Sequence, residues 1–359
     1  MCKFLIRLFA KKHKVKTEEE ISKAKAAAEE KLLHLQDAFY ALSEDTVTLY
    51  DKIEDFFFQD IDFQMFQGAV SRWMADAGRS PESGMSRVSY DKYRQVYNDP
   101  ISNRVLHWFD VQNIIGAFQD RLIATEGYMK DIFATIPAYC LYNDDEYTGA
   151  TRDIGFSSDQ IHTSINNVFV SLASAFDLFT KIVYECAKYD PKGFDTYKKL
   201  KSRADSILYA KKNYGFDELK ELGLLYDEPA CIRTICSFRD EFIHCGSWDY
   251  RCAIYYPHID GEPVEPFIPM PDIEQSGVLV SSGSRNKFYA SGAKINTVLP
   301  DLIADVIAVL SKTVTKLKEV LVSKTTPLPQ KDREDNAMAY MKAMSVKLSK
   351  LVSVLKKKS

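Results

Sequence analysis

Two apolar stripes constrain this chain more than any other feature. Ile165, Phe169, Leu172, Phe176, Phe179 and Val183 alternate steps of four and three, and Ile303, Ile307, Leu310, Val314, Leu317 and Leu321 do the same. Residues three and four apart share one face of an α-helix, so each set lines a single apolar stripe. Each stripe runs for about five turns. A helix that long hides one apolar face only against other long helices, which predicts an up-and-down bundle in the second half of the chain.

Helix signals fill most of the remainder. Thr17-Glu18-Glu19-Glu20 has the pattern of a capping box and predicts a helix to about Leu42. Further helices are expected over Asp45–Ala77, Ile101–Gln119 and Asp120–Thr135, with the Gly- and Pro-bearing stretch Gly78–Pro100 as loop. The acidic run Asn143–Gly149 marks a boundary. Beyond it, Pro191-Lys192-Gly193 stops the first striped helix, and Lys-rich Thr196–Lys212 predicts another. Glu228-Pro229 opens a helix that Gly246 closes. Arg251–Tyr256, Gly277–Ser282 and Lys287–Ala290 are short and β-branched or aromatic, which fits a small β-hairpin insert. Leu299-Pro300 opens the second striped helix. Thr325–Asp335, with two prolines, reads as a linker, and Met341, Met344, Leu348, Leu351 and Leu355 mark a basic docking helix.

The expected fold class is therefore mainly all-α. A basic amphipathic segment (1–16) precedes a helical domain (17–150), a helical bundle with the hairpin insert (151–323), and a linker with a C-terminal helix (324–359).

Charge is unevenly spread. Net charge is −3, yet residues 1–16 carry six Lys/Arg and residues 336–359 six Lys, with no acid in either. Removing those twelve positive charges leaves the rest at −15. An acidic body with basic ends is not coated for DNA, so nucleic-acid contact is expected only at a local patch or the ends. Lys3, Arg7, Lys11 and Lys14 beside Phe4, Leu5, Leu8 and Phe9 fit either peripheral membrane contact or packing on a partner. No run approaches the roughly 18–20 uncharged apolar residues of a membrane span. Seven cysteines without framework spacing imply a reducing compartment, the cytoplasm, with mostly buried free thiols.

The chain lacks GxxxxGK[ST], GxGxxG, HExxH and GxSxG patterns. Its one chemically suggestive run is Arg239-Asp240-Glu241-Phe242-Ile243-His244. Asp240 and His244 are four apart and share a helical face, where a carboxylate raises imidazole basicity and selects its tautomer. Arg239 offers a permanent cation with a planar fork suited to phosphate. A tuned imidazole and a phosphate anchor are the minimum for cutting RNA without metal: one takes the 2′-hydroxyl proton, the other steadies the phosphorane. Helix-dipole complementarity alone also favours such residues at a helix C-terminus. Arg239 and His244, five apart, lie roughly 140° apart around the axis. They reach one phosphate if the Arg bends round, or if two protomers pool their copies across a two-fold interface.

The run Phe238–His244 resembles the signature of the HEPN superfamily: Arg, a polar residue, then a short gap to His. The surroundings, roughly residues 155–323, are also similar, with a long helix before, the motif late in its own helix, a β-rich insert and a long closing helix. The resemblance implies a HEPN-like bundle acting as a metal-independent endoribonuclease without cofactor. Arg239 and His244 would be catalytic and Asp240 their orienting partner. It further implies an RNA substrate, a homodimer, and a role as toxin or abortive-infection effector against phage, with an antitoxin or other protein partner. Some members of that superfamily are inactive, so the alternative is a non-catalytic module binding a protein, RNA or membrane.

Asp177 and Lys181, four apart beside the apolar stripe, fit a surface ion pair, or polar residues lining a HEPN-like cleft. Cys231, Cys236, His244, Cys245 and Cys252 lack a CxxC knuckle, which argues for thiols and against zinc. His107, next to Trp108, is expected to pack.

Overall fold

The computed structural model describes residues 18–66, 72–77, 80–81, 84–136, 150–153, 156–196, 200, 215–246, 253–259, 262–263 and 266–356. The basic 1–16 segment, the Asn143–Gly149 boundary, nearly all of the helix expected over Thr196–Lys212, and Cys252 lie outside them.

The fold is all-α, with nine α-helices and three short strands among the described residues. Helices are α1 (Glu18–Phe57), α2 (Phe63–Phe66), α3 (Arg72–Asp76), α4 (Arg87–Val96) and α5 (Pro100–Thr135). Strand β1 (Ala150–Asp153) precedes α6 (Phe156–Ala187) and α7 (Ala230–Cys245). Strands β2 (Ile254–Ile259) and β3 (Glu262–Pro263) lead to α8 (Ile295–Lys324) and α9 (Gln330–Lys356).

Both apolar stripes form helix faces as expected. On α6 the six stripe residues are fully buried, and on α8 Ile303, Leu310, Val314, Leu317 and Leu321 are fully buried with Ile307 nearly so. α6 is long and apolar enough to cross a membrane by length and composition, but most of that stretch is buried within the protein. It serves as the core helix.

α1 and α5 run straight through the breaks expected near Ser43 and Gln119. In α1 the buried row continues as Leu42, Thr46, Leu49 and Ile53, and in α5 as Phe118, Leu122, Thr125 and Met129. Each row includes a fully buried threonine. The Thr125 hydroxyl donates to the Arg121 carbonyl one turn back at 2.8 Å, so its polar group is satisfied inside the helix. α4 lies in the stretch expected as loop, capped by the Ser86 hydroxyl, which accepts from the Ser89 N–H at 3.1 Å. α8 begins at Ile295, five residues before the Pro300 expected to open it.

The residues cluster into two units. The first comprises 1–43, 120–175 and 222–311; the second comprises 44–119, 176–221 and 312–359. The division falls inside α1, α5, α6 and α8.

In the second unit a polar network fastens the core. Arg104, nearly fully buried, donates to Asp60 at 2.7 Å. Asn103 donates to the Phe194 carbonyl at 3.0 Å. His107 packs as expected, stacked on Phe57 with ring centroids 5.8 Å apart, and its Nε2 lies 3.7 Å from buried Glu185. α9 docks through Ala337, Tyr340 and Met344, with Tyr340 against Phe66 at 4.9 Å and its hydroxyl 2.9 Å from Ser102 Oγ. Docking thus begins before Met341, and Gln330–Asp335 is already helical.

In the first unit β2 pairs antiparallel with β1 and, in a hairpin, with β3. The insert therefore holds a hairpin, but its strands are not those expected. Of the three candidate segments only 254–256 enters a strand; Leu279 and Ser282 make isolated bridges, to Ile273 and Arg285.

Candidate functional site

The motif helix α7 owes its orientation to four apolar side chains. Ile232, Ile235 and Phe238 are buried, and Phe242 joins them on the same face. The Phe238 ring stacks on Phe169 of α6 at 4.6 Å, and Phe242 meets Phe169 edge-on at 5.6 Å. These contacts turn residues 239, 240, 243 and 244 away from the core. Pro229 stands just before the first helical residue, with no side-chain capping bond, and Gly246, at φ 84°, ends the helix; at that angle side chains with a Cβ are strained.

At the exit, the Arg239 guanidinium is half-buried and donates to Asp240 Oδ1 at 2.7 Å. The sequence pairs Asp240 with His244 by spacing; the structure pairs it with Arg239. His244 stands exposed in the last turn, beside exposed Ile243 and Cys245. Arg239 and His244 thus share the last turn and a half of one helix without sharing a face.

Glu241 is the residue that sequence reasoning missed. It is buried inside the motif, where Lys287 Nζ reaches Oε1 at 2.9 Å and the Asn286 amide donates to Oε2. Its partners lie some 45 residues away in sequence, a distance at which spacing carries no signal. The Cys245 thiol also bonds to Glu241; that hydrogen bond, then slight desolvation and the carboxylate charge, raise the thiol above its ordinary range. Cys245 is therefore held protonated, although it is exposed. Of the four described cysteines only Cys186 is buried, with Cys231 and Cys236 partly so and Cys245 exposed, where mostly buried thiols were expected.

Segment 277–287 follows α7 along its length. Gly277 abuts Ala230 at the helix start, the Leu279 N–H donates to Ser237 Oγ at 3.1 Å, and Asn286 and Lys287 meet Glu241 near the end.

Asp177 and Lys181 are half-buried on α6 within the second unit, whereas Arg239, Asp240 and His244 belong to the first. Among the described residues no cluster of three or more His, Cys, Asp or Glu side chains has the arrangement of a metal site. Compared with known proteins, the chain matches no family model, no curated sequence and no solved structure.

Proposed function

We propose that this chain is a metal-independent endoribonuclease of HEPN type, acting as a homodimer from the C-terminal end of α7. One observation carries the proposal: a guanidinium steered by a neighbouring carboxylate at 2.7 Å and an exposed imidazole occupy the last turns of the same helix. In the proposed reaction His244 takes the 2′-hydroxyl proton, O2′ bonds to phosphorus, and the P–O5′ bond breaks. The same imidazolium then returns the proton to O5′, leaving a 2′,3′-cyclic phosphate and a 5′-hydroxyl. Arg239 stabilises the charge on the phosphorane oxygens. Asp240 acts as a positioning residue for Arg239. Because Arg239 and His244 point to different sides of α7, pairing of two copies brings one residue of each kind to a single phosphate. A role as toxin or abortive-infection effector is part of the same proposal.

The test is RNA incubated with purified protein in EDTA, with the new ends mapped. Appearance of 2′,3′-cyclic phosphates with wild type and their loss with His244→Ala supports the reading. Wild type and variant that are equally inert, or equally active, refute it.

A second reading, a non-catalytic interaction module, is favoured by the ion pair that already engages Arg239 with Asp240. It expects Arg239→Ala and His244→Ala to change dimerisation or stability while no RNA is cut.

A further inference from the structure

The loop that meets Glu241 carries features the motif does not use. Between Glu274 and Asp301 the chain has no acidic residue, but it has Arg285, Lys287 and Lys294 and the adjacent aromatics Phe288 and Tyr289. Phe288 is 37% exposed and Tyr289 43%, on the chain immediately after the two residues that grip Glu241. Two neighbouring aromatic residues that each keep more than a third of their surface exposed offer ring faces to a ligand near the candidate catalytic helix.

The rings are held on a braced backbone. Asp272 accepts hydrogen bonds from the Ala290 N–H at 2.7 Å, the Ser291 N–H at 2.9 Å and the Ser291 hydroxyl at 2.6 Å. Its own N–H donates to the Phe288 carbonyl at 2.7 Å, and the Met270 N–H donates to the Ala293 carbonyl at 2.8 Å. Ser282 and Arg285 close a tight turn on the near side. Exposed rings on such a frame lose little entropy when a flat ligand stacks on them.

The charge pattern selects the ligand. The carboxylates of Asp240, Glu241 and Asp272 are each engaged by groups of the helix or loop. Arg285 is exposed, and Lys294 lies over the Phe267 ring at 4.4 Å. Paired aromatics flanked by cations are the means by which proteins hold unpaired nucleotides: bases stack on rings and phosphates meet the cations. Bases inside a duplex already stack on one another and cannot use such a surface.

We infer that Arg285, Phe288, Tyr289 and Lys294 form a stacking platform that binds single-stranded RNA beside the end of α7. Choosing RNA as the nucleic acid rests on the ribonuclease reading above; the platform would deliver an unpaired stretch to Arg239 and His244. Its test uses a fluorescein-labelled, 2′-O-methylated oligouridylate, which has no free 2′-hydroxyl and cannot be cut, so binding is read without catalysis. Anisotropy should show wild type binding, and Leu222→Ala, at an exposed residue outside the platform, binding equally. Phe288→Ala and Tyr289→Ala should each weaken binding roughly tenfold or more. Phe288→Leu and Tyr289→Leu, which keep apolar bulk without a ring, should weaken it too. Arg285→Ala should lower the slope of log affinity against log salt by about one. Wild type that ignores the oligonucleotide, leucine variants that bind like wild type, or a hairpin duplex that competes equally would overturn the inference. If wild type cuts no RNA yet the ring variants lose binding, the cleavage reading falls and the platform stands.

Discussion

Replacing Gly277 by alanine tests the seam that ties the insert to the motif helix. Gly277 has φ +89°, where a Cβ is strained, and an ideal Cβ there would lie 2.1 Å from the Ala230 carbonyl oxygen and 2.9 Å from its carbon. Those atoms are backbone at the first residue of α7, so the contact is relieved only by moving the segment off the helix. The left-handed conformation alone costs a non-glycine residue roughly 1–2 kcal/mol. Forcing a methyl into a filled site adds about 1–3 kcal/mol. Gly277→Ala should therefore destabilise by about 3 kcal/mol. Gly283 is the internal control: it has φ +59° with nothing within 4 Å of an added Cβ, so Gly283→Ala should cost only the backbone share, about 1 kcal/mol. Urea unfolding followed by circular dichroism measures both. Equal costs for the two variants would refute the steric argument.

Three further predictions concern the same neighbourhood. Lys287→Met removes the only cation among the described residues paired with a carboxylate of which only 4% is exposed, leaving it the neutral Asn286 and Cys245 donors, whereas Glu241→Gln leaves an ammonium that is 28% exposed to water. The lysine variant should cost about 3 kcal/mol and the glutamine variant about 1 kcal/mol in the same unfolding assay, and the reverse order would contradict this account of the pair. Hydrogen bonds from the Ser291 hydroxyl, then the Ser291 and Ala290 amides, hold Asp272 below the usual carboxylate range. Such a depressed group stabilises above its unfolded value of about 3.9 and loses that contribution as pH falls through the folded value. The stability gap between wild type and Asp272→Asn should therefore be full above about pH 5 and close in acid, whereas a gap that widens in acid would refute it. Finally, Glu241→Gln should speed alkylation of Cys245 by iodoacetamide near neutral pH, since the carboxylate that raises this thiol is gone. Mass spectrometry of the labelled peptide reads the rate, and an unchanged rate would contradict the assigned hydrogen bond.

The bundle was legible because period and burial coincide: the α6 and α8 stripes are uninterrupted rows of large apolar side chains, and they fill the core. Polar pairs, Ser43-Glu44 and Gln119-Asp120, stand where the breaks in α1 and α5 were expected, yet the buried rows run on past them through Leu42, Thr46 and Leu49 and through Phe118, Leu122 and Thr125. α4 escaped because none of its residues is buried, so no stripe marks it. β2 finds its partner β1 about a hundred residues upstream, beyond the reach of turn signals. At the candidate site, residue types and helix position were legible, as was the separation of Arg239 from His244 around the axis. Partner choice was not: helical spacing favours Asp240 with His244, but a flexible neighbouring guanidinium takes the carboxylate instead. Glu241 read as an ordinary polar residue until the insert brought Asn286 and Lys287 against it.

The claim that two copies of α7 build one RNA-cleaving site is tested most directly by mixing two inactive variants. Arg239→Ala and His244→Ala are unfolded together, refolded as a mixture, and incubated with RNA in EDTA beside wild type and each variant alone. If arginine comes from one copy and histidine from the other, random pairing makes half the dimers mixed, each with one intact site in two. The mixture should then recover about a quarter of wild-type cleavage, ending in 2′,3′-cyclic phosphates, while each variant alone stays inactive. A mixture no more active than its components, or a wild type that cuts nothing, would contradict the account.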